Sequence, residues 1–121
     1  VAYCARSPYE YSHHIKIALD AGVASVDISA IASETRGEAS HLDPLSRAAL
    51  AAAREMADSG KVSDEVFAIL KQNLDNEMMV DLLFLISFYC GFVRFTGALE
   101  VEVEASYLAY LERFPLPPDA V

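Results

Sequence analysis

Glu10 and His14 stand four residues apart in the run SPYEYSHHIKIALDAG, Ser7 to Gly22. On a helix that spacing puts both side chains on one face, within reach of each other. A carboxylate beside an imidazole can pass a proton: the carboxylate orients the ring and fixes its tautomer, and the ring titrates near neutrality. Glu10 and His13, three apart, nearly share that face. The chain has three histidines, and two of them are here. The same spacing also occurs in a plain pairing of a surface carboxylate with a partly buried histidine. Residue types alone therefore leave catalysis and structure both open.

Other chemistries ask for more residues than this stretch supplies. Glu10-x-x-His13 is half of a di-iron carboxylate site, which needs a second Glu-x-x-His and two more glutamates from facing helices. No second copy is read, so no metal is expected. His41 falls in a polar loop and reads as solvated. Tyr89 lies in an apolar stretch, where its hydroxyl needs a partner: either a backbone carbonyl in the core or a substrate. Arg94, closing that stretch, can hold an anionic substrate, pair with an acid or face a helix C-terminus. His13 is another candidate for the substrate's charge. Cys4 and Cys90 make neither a disulfide framework nor a zinc motif and read as reduced core thiols.

The elements that must position these groups read as helices. Ser7 is an N-cap, Pro8 suits the first helical position, and Gly22 is a left-handed stop. Tyr11, Ile15, Ala18 and Leu19 form the stripe that buries this helix. Val1 to Arg6 resembles the end of a helix whose start is absent. Ser25 caps a short helix over Val26–Ser33, and Thr35–Leu42 is a loop. Asp43-Pro44 opens an alanine-rich helix that runs to Ser59 and stops at Gly60. Ser63 caps the next helix, with Asp64 and Glu65 in its first turn. Asp75 caps a long helix from Asn76 to about Phe95, with Gly97 as its stop. Apolar nearly all round from Leu82, this helix is expected to be the central buried one, its extra sides meeting another subunit. The tail predicts a short amphipathic helix and a proline-rich end.

At 121 residues the chain is one domain, 1–121, long enough for a sizeable core. Being 54% hydrophobic and 22% charged, it reads as globular. Nine Lys and Arg against eighteen Asp and Glu give a formal net charge of −9. That balance argues against nucleic acid and anionic membranes as partners, though a pocket can still hold a small anion. The most apolar run, Leu82–Val93, is shorter than a membrane span and is bracketed by Asp81 and Arg94. No signal peptide is visible, so a cytoplasmic protein is expected. The abrupt start at Val1, without an initiator Met, suggests that residues precede it.

The string YEYSHHIKIALDAGV resembles the central signature of the carboxymuconolactone decarboxylase and alkyl hydroperoxidase D-like superfamily. Members read E-W/Y-x-x-H, a few apolar positions, then A-x-x-A-G. Here these are Glu10, Tyr11 and the histidines, then Ile15, Ile17, Ala18, Ala21 and Gly22. The likeness continues through DPLSRAALAAAREMADSGKVSDEVFAILKQNLDNEMMVDLLFLISFY and into YLAYLERFPLP. It implies an all-α bundle with further N-terminal helices in complete domains, and a homotrimer or homohexamer.

Peroxidase-type members carry Cys-x-x-Cys, with the histidine four residues after the second cysteine. Ser7 and Glu10 occupy those positions here, and His14 takes the histidine's place. Thiol peroxidase chemistry needs a nucleophilic and a resolving thiol, so the resemblance points instead to the decarboxylase type. That type implies a carboxy-lyase of aromatic-compound catabolism, free of metal and organic cofactor, acting on a small anionic lactone. His14 would be the acid or charge stabiliser and Glu10 its orienting partner. A non-catalytic all-α oligomerisation or small-ligand-binding scaffold is the alternative. A pocket that buries Glu10 and His14 side by side, away from bulk water, favours the enzyme; a solvent-facing Glu10, or an apolar plug over His14, favours the scaffold.

Overall fold

The computed structural model describes residues 1–118. It is all-helical, with six α-helices, one short 3-10 turn and no strand among the described residues. Helix α1, Pro8–Asp20, begins with Ser7 as N-cap, its Oγ accepting from the Glu10 N–H, and with Pro8 in the first turn. It ends in a Schellman motif. Gly22 adopts φ 89°, its N–H donating to the Leu19 carbonyl, and the Val23 N–H donates to Ala18.

Helix α2, Ser25–Thr35, departs from expectation at both ends. Ser25 lies inside the helix, Ala24 takes the cap position, and no side chain caps it. The Ser25 hydroxyl is engaged elsewhere, accepting from the Arg113 guanidinium at 2.6 Å. At the other end the helix runs on to Thr35, whose hydroxyl bonds back to the Ile31 carbonyl. Helices α3, Pro44–Ser59, and α4, Asp64–Asn73, start at the expected caps Asp43 and Ser63. Gly60 closes α3 at φ 73°.

Helix α5, Asn76–Ala98, is capped by Asp75 but does not stop at Gly97. Gly97 stays helical, which costs only a modest propensity penalty. The left-handed position falls instead on Glu100, at φ 51°. Its N–H donates to Gly97 and that of Val101 to Thr96, the same bonding that Gly22 makes in α1. The 3-10 turn Ala105–Tyr107 and helix α6, Leu108–Arg113, complete the chain.

Two clusters hold these helices together. Tyr3, Tyr11, Ile15, Ile28 and Phe114 join the N-terminal turn, α1, α2 and the residue after α6, and the expected stripe of α1 lies here. Ala48, Ala52, Leu70, Met79 and Ile86 join α3, α4 and α5. Between the halves stands Glu34, buried on α2. It accepts from the Ser40 hydroxyl at 2.6 Å and from Arg47 Nε on α3 at 2.9 Å. The Ser40 hydrogen bond, and after it Arg47, hold this carboxyl below the usual carboxylate range, against the opposing effect of desolvation.

Within the single chain α5 is covered on one side only, and the further sides that were expected to meet another subunit are open. Only Met79, Ile86, Val93 and Thr96 are buried on it. With α3 and α4 covering one side, a helix apolar all round leaves its opposite face uncovered in the chain: Phe84, Leu85, Phe88 and Phe95 are exposed. The length argument also changes. Although the apolar run singled out in the sequence is short, the whole helix of 23 residues is long and apolar enough, by length and composition, to cross a membrane.

Candidate functional site

Helix α1 places Glu10 and His14 on consecutive turns, and α5 brings Tyr89 against His14. The Tyr89 and His14 rings meet nearly perpendicular, 4.8 Å apart between centroids. Glu10 follows directly from the capping of α1: Ser7 and Pro8 set the first turn, and Glu10 is the residue whose N–H the cap receives. Its side chain turns inward and is 3% exposed. One carboxyl oxygen, Oε1, is buried with no hydrogen-bond partner among the described residues. A buried polar atom of this kind is uncommon in a native fold and calls for an explanation.

The pairing differs in one respect from the sequence expectation. His14 Nδ1 donates to the backbone carbonyl of Glu10 at 2.7 Å, whereas the Glu10 carboxylate oxygen Oε2 lies 3.7 Å from that nitrogen. The carbonyl therefore fixes the tautomer, and the carboxylate acts as a nearby charge. With the proton on Nδ1, Nε2 is the nitrogen left to accept or deliver a proton. The His14 side chain is 40% exposed in the single chain. Tyr11, the next residue along from Glu10, belongs to the core. Burial, and then the neighbouring Tyr3, pushes its phenol up to about 12, so it stays neutral at ordinary pH.

The remaining sequence candidates have other partners. His13 is sandwiched between Tyr9, at 4.3 Å, and Tyr107, at 3.9 Å and nearly parallel. Its Nε2 bonds Glu104 at 2.8 Å, and this bond holds the Glu104 carboxyl below its usual range. His13 thus ties the 3-10 turn to α1. Arg94 is exposed and its guanidinium donates to the Cys90 carbonyl of its own helix. His41 pairs with Asp27 at 2.6 Å. The sequence does repeat the Glu-x-x-His spacing, at Glu38 and His41 in the loop after α2. There Glu38 pairs with Arg36 and His41 with Asp27, so the two act apart from Glu10 and His13. Among the described residues no group of three His, Cys, Asp or Glu side chains is placed to hold a metal. Cys4 and Cys90 are free.

Tyr9, Glu104 and Tyr107 were not among the sequence candidates. Glu104 and Tyr107 reach His13 across the length of the chain, and no local pattern announces them. Two cavities are described. One, about 380 Å³, lies beside His41 and Ser40; the other, about 570 Å³, lies between Arg6–Tyr9 and the end of α5 at Val93, Thr96 and Glu100. Neither is lined by Glu10 or His14. Compared with known proteins, the chain matches no family model, no curated protein and no solved structure.

Proposed function

We propose that Glu10 and His14 form a cofactor-independent proton-transfer site of the carboxymuconolactone decarboxylase type, in a cytoplasmic homotrimer or homohexamer. The observation that carries this is the Glu10 carboxyl, buried beside His14 with an unpartnered oxygen. A fold gains nothing from such a group, and a site that stabilises positive charge on an imidazole does.

In the proposed reaction a small anionic lactone loses its carboxylate as CO₂. The carbon–carbon bond breaks, and its electron pair spreads onto the lactone carbonyl as a dienolate. Protonated His14 delivers the proton from Nε2 to carbon. Its Nδ1–H stays on the Glu10 carbonyl, and the Glu10 carboxylate offsets the imidazolium charge before transfer. Tyr89, against the His14 ring, holds that ring's plane and offers a hydroxyl near the substrate. His13 and Arg94 already have protein partners, so either would have to release one to bind the substrate carboxylate.

The test is turnover of a carboxymuconolactone-like acid, read as CO₂ release. His14→Gln and Glu10→Gln should each lower it by a large factor, roughly a hundredfold or more. The double variant should be little worse than His14→Gln alone, because the pair acts as a unit. Equal turnover by wild type and His14→Gln would leave the alternative, a non-catalytic oligomerisation or small-ligand-binding scaffold. The open position of His14, away from both cavities, is what favours that alternative.

A further inference from the structure

The outer face of α5 carries Phe84, Phe88, Gly91 and Phe95, spaced four, three and four residues apart. That is the repeat of a helix seam built to meet another helix. Phe84 is 72% exposed, Phe88 51% and Phe95 60%, and Phe92 stacks between Phe88 and Phe95 beside the stripe. Gly91 adds a separate observation. It is mid-helix with ordinary helical φ, and a Cβ placed there would meet nothing within 4 Å in this chain. Glycine weakens a helix relative to alanine, and nothing inside the chain requires it here or at Gly97, which is open in the same way but lies off the stripe. A backbone approaching closely from outside gives a reason for it at Gly91.

The exposed area of the whole chain leaves room for a partner. A compact monomer of 13.2 kDa is expected to expose roughly 6,400 Å². This chain exposes 7688 Å², an excess of about 1,300 Å² over that expectation. A standard stable interface removes about 800 Å² from each partner, so the excess suits a full interface. The occupant must also suit the charges. A parallel copy in register would set Glu77 against Glu77 and Asp81 against Asp81. An antiparallel copy crossing near Ser87 and Phe88 sets Asp81 level with the other chain's Arg94 and separates the like charges. The net charge of −9 disfavours an anionic bilayer on the same face.

We propose that this stripe seats a second copy of the chain, antiparallel about a two-fold axis near Phe88, as a homohexamer allows and a homotrimer does not, and that the copy walls the solvent side of the His14–Tyr89 site. Phe88 and Phe92 pack against Tyr89 at 5.3 and 6.3 Å, so whatever covers the stripe also borders the site. The walling clause rests on the proton-transfer reading; the pairing of the helices does not.

The experiment is sedimentation velocity at micromolar concentrations, with cross-linking and chemical modification as independent readouts. Wild type should sediment as an assembly, and Phe88→Glu as a monomer with unchanged helical circular dichroism. Gly91→Ala separates packing from folding. It should raise the melting temperature of the monomeric Phe88→Glu chain, yet weaken wild-type association by about tenfold or more through overpacking. In a Cys4→Ser, Cys90→Ser background, Phe88→Cys should form a disulfide between copies on mild oxidation. Carbethoxylation of His14 by diethylpyrocarbonate, followed by mass spectrometry, should be slower in the assembly than in Phe88→Glu. A wild-type monomer overturns the pairing, as does unchanged assembly in both Phe88→Glu and Gly91→Ala. Saturable binding to neutral phosphatidylcholine vesicles that buries Phe88 instead of self-association also overturns it. Assembly with equal His14 reactivity overturns the walling alone. Assembly without lactone turnover counts against the proton-transfer reading and leaves the pairing in place.

Discussion

In the proposed site, Glu10 is the residue on which chemistry and stability make opposite demands. A carboxyl buried with an unpartnered oxygen is costly, and an apolar side chain of similar length would sit there more comfortably. Glu10→Met is therefore expected to stabilise the fold by about 1–2 kcal/mol while abolishing proton transfer. Chemical denaturation of both proteins checks this, and a destabilised variant would make Glu10 an ordinary structural residue. The pairing of Glu10 with His14 was legible because four-residue spacing fixes a helical face wherever the helix lies. Which atom would hold the imidazole was not legible, since the Glu10 backbone carbonyl reaches Nδ1 at hydrogen-bond distance and the carboxylate does not. His13 was beyond local reading altogether, because its partner Glu104 is brought in by the fold of the tail. Cys4 and Cys90 lie outside the motif positions held by Ser7 and Glu10. Peroxide consumption with a thiol reductant should accordingly be absent in wild type and unaffected by Cys4→Ser.

At the scale of the elements, caps were the most readable feature. Ser7, Asp43, Ser63 and Asp75 each accept from a backbone N–H three residues on, as short polar side chains do at helix starts. Where a competing partner exists the reading fails, as at Ser25, whose hydroxyl receives Arg113. It also fails at Gly97, because the left-handed position went to Glu100. That position costs a residue with a Cβ roughly 1–2 kcal/mol, so Glu100→Gly should recover about 1 kcal/mol. A differential melting scan should show a rise of about 4 °C. Glu34, which ties α2 to α3, gives a pH prediction. Its carboxyl is held low in the folded chain, so its contribution is complete above the unfolded glutamate range, around 4.3. As pH falls below that range and through the folded value, the contribution is lost. Glu34→Gln should be less stable than wild type at neutral pH, and the gap between their melting temperatures should narrow toward pH 3. A gap that stays constant across that range would show that the charge of Glu34 does not matter.

For the whole molecule, the all-helical architecture was legible; which face of α5 the chain itself covers was not. Periodicity says that a helix is apolar all round, but not whether the chain has enough neighbours to cover it. With only α3 and α4 on one side, it does not, and the uncovered face lies next to Tyr89 and His14. Under the proposed pairing, one association would cover the open face of α5 and close the half-open site together. The central claim is that His14 hands a proton to carbon, and it can be watched directly. The measurement is turnover of a carboxymuconolactone-like acid in D₂O, with the product's carbon-bound deuterium read by proton NMR. Wild type should release CO₂ and place a solvent deuteron on the product carbon, and His14→Gln should do neither at a comparable rate. Deuterium incorporation by His14→Gln at the wild-type rate, or its absence from wild type altogether, would contradict that claim.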